Sequence, residues 1–133
     1  MDPVVHFELP AEDRERVAAF YAAAFGWETQ MLGPEMGNYA VVTTTPVVNG
    51  RPAAPGTING GFFLRTSDSA SHTPSVVIAV QSIKASLQAV KEAGGTVTEP
   101  NEIPGVGTYA SFFDTEGNRG GILQPLPSSA EFD

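Results

Sequence analysis

The second half of this chain repeats the order of elements that the first half predicts. Each half reads as strand, helix, strand, strand, strand, and each ends on a strand with paired glycines, at residues 59–63 (NGGFF) and 119–123 (RGGIL). Self-similarity of this kind indicates one supersecondary unit present twice. The sequence therefore predicts an α+β fold of tandem βαβββ modules.

The first predicted strand covers residues 4–9 and has two chemically different faces. His6 and Glu8 fall on one face, and Phe7 and Leu9 on the other, because successive side chains of a strand alternate. Pro10 is expected to end this strand. The polar pair is a candidate for chemistry and the apolar pair for the core.

A helix follows, and strands follow the helix. Asp13 is a suitable N-cap and Gly26 a suitable stop. The residues expected on its apolar face are Val17, Phe20, Tyr21, Ala24 and Phe25. Strands are predicted at 28–32, 39–45 and 57–64, whereas residues 46–56, with three prolines and two glycines, are expected to lack regular structure.

The second half restarts after a small, polar segment. It predicts a strand at 75–80, a helix capped by Ser82 and ended by Gly94 and Gly95, and a short strand at 96–98. Residues 100–105 read as a loop, and residues 106–124 as a β-hairpin with Asp, Gly and Asn at its bend. We expect a single domain, 1–133, with modules at about 1–66 and 75–126, a linker at 67–74 and a C-terminal tail at 127–133.

Composition excludes several classes of function. The chain has no cysteine, which removes disulfides, thiolate metal sites and a cysteine nucleophile. A formal charge of −8, from 15 acidic and 7 basic residues, disfavours nucleic acid as a partner. No apolar run approaches the roughly 20 residues of a membrane span, so we expect no membrane partner and a cytoplasmic protein.

Three stretches carry a resemblance to a known superfamily. They are residues 13–27 (DRERVAAFYAAAFGW), 91–97 (KEAGGTV) and 113–124 (FDTEGNRGGILQ). Together they resemble the glyoxalase/bleomycin-resistance/extradiol-dioxygenase group, the vicinal oxygen chelate superfamily. The resemblance implies that the two modules form a curved, barrel-like mixed sheet around a cavity, often as a homodimer.

The resemblance also implies where a metal would be held in the metal-dependent members. One ligand comes from the first strand and one, an acid, from the last strand of each module. Here those positions are His6, Ser75 (or Pro74), Gly61 and Gly121. A single imidazole does not hold a first-row metal tightly, so we predict no metal and no cofactor. A substitute set of His6, Glu8 and His72 is the alternative.

Several residues are candidates for contacts with a ligand. His6 is either a hydrogen-bonded residue at the border of the core or a catalytic acid/base. Tyr39 and Tyr109 offer an aromatic face and a hydroxyl. The remaining predicted ligand-binding positions are Glu8, Gly61, Gly121 and Gln124. Glycine at both acid positions predicts a roomier, less polar pocket.

Three hypotheses for function follow. The first is a protein that binds a small organic ligand in the cavity without metal. The second is a lyase or isomerase similar to lactoylglutathione lyase that uses His6 or an atypical metal set. The third is a dimeric interaction module without a ligand.

Overall fold

The computed structural model describes residues 1–127 and confirms the α+β prediction. The helices are α1 (Arg14–Phe25) and α2 (Ile83–Glu92). The strands are β1 (Val4–Ala11), β2 (Glu28–Met31), β3 (Ala40–Thr43), β4 (Val47–Val48), β5 (Arg51–Pro52), β6 (Asn59–Leu64), β7 (Ser75–Ala79), β8 (Thr96–Val97), β9 (Asn101–Ile103), β10 (Gly107–Phe113) and β11 (Arg119–Pro125). Short 3-10 turns occupy Pro34–Met36 and Ser69–His72. The predicted tail, 127–133, lies outside the described residues except for Pro127.

The chain forms two compact units, residues 6–74 and residues 1–5 with 75–127. In the 6–74 unit the strand order is β2-β3-β6-β1, with β1 parallel to β6 and the other pairs antiparallel. In the other unit the order is β7-β11-β10-β8, with β7 parallel to β11 and β9 paired to β10. The sheet of each unit is mixed and open, and each unit has the predicted βαβββ order with short additions.

Helix α1 begins and ends as the sequence predicts. The Asp13 carboxylate accepts a hydrogen bond from the Arg16 N–H at 3.0 Å, and Gly26, at φ +75°, closes the helix through its N–H to the Ala22 carbonyl. The helix covers one face of its sheet. The core there consists of Ala11, Ala40, Val42 and Phe62, packed against Phe7, Leu9, Val17, Ala18, Tyr21, Trp27 and Met31.

The predicted apolar face of α1 is partly wrong. Val17 and Tyr21 pack on the core, but Phe20 is 59% exposed and Phe25 67% exposed, and Ala24 is exposed as well. The helix is apolar on most of its sides, because alanine fills the positions between the aromatic residues. Periodicity therefore could not decide which side would pack on the sheet.

Helix α2 repeats the arrangement in the other unit. The Ser82 hydroxyl accepts a hydrogen bond from the Ala85 N–H at 3.2 Å, and Gly94 at φ +102° follows the helix end. Its apolar stripe, which includes Leu87 and Val90, packs on a core of Val80, Ile83, Ala110 and Ile122. The N-cap predicted for this helix is confirmed.

Three local expectations are wrong. Residues 46–56 contain the β4–β5 ribbon, whose turn residues Asn49 and Gly50 both adopt positive φ. The loop at 100–105 contains β9, and β1 continues through Pro10 to Ala11. Pro10 in β1 and Pro52 in β5 each stand near the end of their strand, where one missing N–H costs little. Within residues 1–127, no helix is long and apolar enough to cross a membrane.

Candidate functional site

In the 6–74 unit, the ring of Tyr39 lies over Gly61. Gly61 pairs with Val41 on β3, and Tyr39 stands two residues before Val41, so it is the diagonal neighbour of Gly61 on the same sheet face. A Cβ placed on Gly61 would collide with Cε1, Cζ and Oη of Tyr39. The glycine is therefore what allows the phenol to lie flat against the strand.

The phenol of Tyr39 is fixed by a carboxylate. Its hydroxyl donates a hydrogen bond to Oε2 of Glu8 at 3.0 Å. Glu8 pairs with Gly61 across the parallel β1–β6 ladder, which places the carboxylate, the glycine and the tyrosine on three adjacent strands. Both side chains are half-buried, so the hydrogen bond is only partly screened by water.

His6 lies on the same face of β1 as Glu8, two residues earlier along the strand. The predicted separation of faces is confirmed, because Phe7 and Leu9 pack in the helix-covered core. Burial disfavours the imidazolium cation and lowers the pKa of His6 below its ordinary value of 6.5. The neutral imidazole is therefore the favoured form of His6 at neutral pH.

The second unit repeats the tyrosine–glycine pair in the same register. Gly121 pairs with Ser111 on β10, and Tyr109 stands two residues before Ser111. A Cβ on Gly121 would lie 2.5 Å from the Tyr109 Oη and 2.8 Å from its Cε2. A tyrosine over the second glycine is thus a property of both modules.

The first glycine of each pair admits an aromatic ring on the opposite, helix-covered face. A Cβ on Gly60 would meet the Phe7 ring and its carbonyl, and a Cβ on Gly120 would lie 2.5 Å from Cζ of Phe112. The ladders run through both glycine pairs without interruption. Each Gly-Gly pair therefore carries one aromatic ring on each side of the sheet.

This geometry corrects the expectation of empty space at the acid positions. The space next to Gly61 and Gly121 holds the rings of Tyr39 and Tyr109, and both glycines are buried. A phenol hydroxyl lies next to the backbone of each of these two glycines. The sequence singled out both tyrosines and both glycines, but it did not predict that they are paired.

Gln124 lies away from these residues. It is three residues from Gly121 and so on the opposite face of β11, where its Oε1 accepts a hydrogen bond from the Ile83 N–H at 2.8 Å. It thereby satisfies one of the N–H groups left without a partner at the start of α2. The structure thus gives Gln124 a role in capping the helix.

Arg119 lies on the same face of β11 as Gly121. It is two residues from Gly121, and its Nε and Nη2 atoms are buried. The Asp114 turn, by contrast, does what its composition predicts. The carboxylate accepts hydrogen bonds from the Asn118 amide and from the backbone N–H groups of Asn118 and Glu116, and these bonds hold the pKa of Asp114 below its ordinary value of 3.8.

The residues at the family's metal positions do not suit a metal ion. In residues 1–127 no three His, Asp or Glu side chains come together in a group able to hold one. The alternative set of His6, Glu8 and His72 is not assembled, since His72 lies in a 3-10 turn with its Nε2 2.7 Å from the Thr66 carbonyl. Ser75 is buried, with its hydroxyl donating to the Arg119 carbonyl at 3.2 Å.

A surface depression of about 560 Å³ lies at the start of α1 and is lined by residues that include Arg14, Asn38 and Leu64. None of the predicted site residues lines it. Arg14 has a structural role there, because its Nη1 donates to the carbonyls of Leu32 at 2.7 Å and Asn38 at 2.9 Å and so holds the β2–β3 connection. We do not assign the site to this depression.

Comparison with known proteins supports the resemblance. A family model described as bleomycin resistance protein-like N-terminal matches residues 4–45. A glyoxylase-like domain-containing protein of Didymella fabae is 33% identical over 116 residues, covering 84% of this chain and 84% of the relative. The chain belongs to the glyoxalase/bleomycin-resistance group of proteins, the vicinal oxygen chelate superfamily.

Solved structures share the fold at low identity. A methylmalonyl-CoA epimerase in complex with methylmalonyl-CoA and NH4+ is 16% identical, with a TM-score of 0.69 over 96% of this chain and 97% of that one. A variant of the Streptomyces coelicolor methylmalonyl-CoA epimerase in complex with 2-nitronate-propionyl-CoA is 15% identical, with a TM-score of 0.67 over 94% and 95%. A hypothetical protein from Bacillus halodurans is 16% identical, with a TM-score of 0.65 over 94% and 95%.

Proposed function

We propose that this chain binds a small, partly apolar organic molecule and does so without the metal ion of its metal-dependent relatives. One observation carries the proposal: the rings of Tyr39 and Tyr109 lie where the side chains of two acidic ligands would have to begin. An acidic side chain at either glycine position would require the ring beside it to leave. In the 6–74 unit, Tyr39, Glu8 and His6 bring polar groups to one face of the sheet, where an organic ligand would meet them.

Thermal denaturation in the presence of Mg2+, Mn2+, Co2+, Ni2+ or Zn2+ tests this proposal. An ion that binds only the folded chain raises its stability in proportion to the logarithm of ion concentration over Kd. We expect that none of these ions raises the melting temperature saturably through His6, so that the parent and the His6→Ala variant respond alike. A stoichiometric ion with micromolar or tighter affinity that requires His6 would overturn the proposal. His72→Ala is the matched control, because it removes the other histidine, which lies in a surface turn.

A second candidate is a lyase or isomerase that uses His6 as a proton acceptor. It is supported by the neutral state that burial gives this imidazole, since a base must be unprotonated to act. The structural neighbours suggest methylmalonyl-CoA as the first substrate to try. Loss of its α-proton signal in D2O, dependent on His6 and insensitive to chelator, would establish this candidate, and retention of the proton would remove it for that substrate.

A cytoplasmic location and a homodimer also belong to the proposal. Both rest on the resemblance and on the composition of the chain. Light scattering coupled to size exclusion tests the dimer, and a mass of one chain at micromolar concentration would refute it. The same result would also refute the third hypothesis, a dimeric interaction module.

A further inference from the structure

Asn59 begins β6 at the point where the ladder between β3 and β6 ends. The last pair of that ladder is Val42 with Gly60. In the second unit the equivalent ladder, between β10 and β11, continues one pair further and joins Phe113 to Arg119, which precedes its glycine pair as Asn59 precedes its own. Strand β3 therefore leaves the sheet one residue early, and the Asn59 side chain lies where the next pair would be.

The oxygen of the Asn59 amide is used by the backbone that follows β3. Oδ1 accepts hydrogen bonds from the Thr44 N–H at 2.7 Å and from the Thr45 N–H at 3.1 Å. Because a backbone N–H can bond only to the oxygen end of the amide, these two contacts decide which end is oxygen and which is nitrogen. They also hold the amide in one orientation, so that Nδ2 presents two N–H donors from a fixed position.

These two N–H donors are available to a ligand. Nδ2 donates to no acceptor among residues 1–127, and it is not closed off from solvent. Asn59 pairs with His6 across the β1–β6 ladder and stands two residues before Gly61, so its side chain lies on the sheet face that carries both of them. Val41, which is 36% exposed, is its diagonal neighbour on β3 and adds an apolar surface. A fixed, accessible donor beside an apolar side chain is typical of a site for a small organic molecule.

We infer that Asn59 binds the ligand of this site through its amide N–H groups, and that the ligand presents a carbonyl-type oxygen to them. An amide nitrogen donates hydrogen bonds and accepts none, so the ligand atom beside it must be an acceptor. The oxygen of a ketone, an amide or a carboxylate meets this requirement, whereas an ammonium group does not. This inference rests on the proposed binding function and specifies the chemistry of the ligand.

The variant Asn59→Asp separates ligand binding from the structural role of the residue. It keeps an oxygen for the N–H groups of Thr44 and Thr45, and it replaces the NH2 group by an oxygen of similar size that donates nothing at neutral pH. We expect it to melt at the temperature of the parent and to raise the Kd for a carbonyl ligand about tenfold or more. Asn59→Ala, which also removes the bonds to the backbone, is expected to lower the melting temperature. Gln88→Glu makes the same amide-to-carboxylate change on the exposed side of α2 and is expected to leave the Kd unchanged.

Acetophenone, benzoate and benzylammonium are suitable probes, observed through the side-chain NH2 signals of the 15N-labelled protein. Acetophenone carries a neutral carbonyl, benzoate an ionised carboxylate, and benzylammonium only donors. The Asn59→Asp variant lacks one pair of signals and so assigns that pair to Asn59. We expect at least one of the two oxygen probes to move the Asn59 pair saturably and benzylammonium to leave it in place. The tighter of the two tells whether the group recognised is neutral or ionised, and the Asn118 pair, in the Asp114 turn, is the internal control.

The inference is overturned if neither oxygen probe moves the Asn59 signals, or if benzylammonium moves them equally. It is also overturned if a folded Asn59→Asp variant binds the oxygen probes as tightly as the parent does. If that variant does not fold, the contrast between the probes on the unaltered protein decides. Any of these failures leaves the metal-independent function standing, whereas a tight ion held through His6 would overturn that function itself.

Discussion

Substitution of Gly61 by alanine should destabilise the protein because the new methyl group and the Tyr39 ring cannot occupy the same space. The ring must swing away, and its hydrogen bond to Glu8 is lost. A hydrogen bond to a charged group contributes about 1.5–3 kcal/mol, reduced here because both groups are only half-buried, and overpacking adds about 1–3 kcal/mol until the ring has moved. We expect a net loss of about 2–3 kcal/mol, which for a chain of this length lowers Tm by about 6–12 °C.

A double-mutant cycle in urea isolates the pairing. In a Tyr39→Ala background the same Gly61→Ala change should stabilise the protein by about 0.5–1 kcal/mol, because the ring is gone and alanine is favoured over glycine in a strand. The expected coupling energy is therefore about 2.5–4 kcal/mol. Gly33→Ala is the control, since its nearest atoms belong to the exposed carboxylate end of Glu35, which can rotate away.

The reasoning would be refuted if the free energy of unfolding of the Gly61→Ala variant lay within about 0.5 kcal/mol of that of the parent. It would also be refuted if Gly61→Ala changed the free energy of unfolding equally with and without the Tyr39 ring. Gly121→Ala with Tyr109→Ala repeats the cycle in the second unit, where the same sign of coupling is expected. A coupling found in one unit only would limit the pairing to that module.

Three further predictions concern the cap, the turn and the buried imidazole. Gln124→Ala removes the acceptor for the Ile83 N–H and should cost about 1 kcal/mol in urea, whereas Gln88→Ala on the exposed side of α2 should be nearly neutral. Asp114→Asn should lower the urea midpoint at neutral pH, and because the folded pKa is depressed, the difference from the parent should vanish as pH falls through that pKa; a difference that persists in strong acid would contradict this. His6 should titrate below 6.5 by NMR, and since the unfolded chain then binds a proton that the folded chain does not, stability should fall as pH drops below 6.5 and level off below the folded pKa. A His6→Gln variant should lack that slope, and an unchanged slope would assign it to another group.

The sequence predicted the elements well where local chemistry decides them. Asp13 and Ser82 cap their helices, Gly26 ends the first, and the glycine pairs lie in the last strand of each module. These features depend on neighbours along the chain. The β4–β5 ribbon was missed because three prolines outweighed the Asn49-Gly50 turn signal.

The candidate site was only half predictable, for a physical reason. Alternation along a strand decides which residues share a face, so the sequence could place His6 and Glu8 on the same face of β1. The position of Tyr39 over Gly61 depends on the register between β3 and β6. That register cannot be read from the sequence, because the β4–β5 ribbon separates the two strands along the chain. The paired glycines therefore suggested empty space, whereas the register fills that space with a phenol.

The most direct measurement for this account is a crystal structure from crystals grown with Co2+ or Zn2+, with anomalous data collected at the absorption edge of the metal. The account predicts a tyrosine ring over Gly61 and over Gly121, and no anomalous peak beside His6. An ion coordinated by His6, with Tyr39 displaced from Gly61, would contradict it.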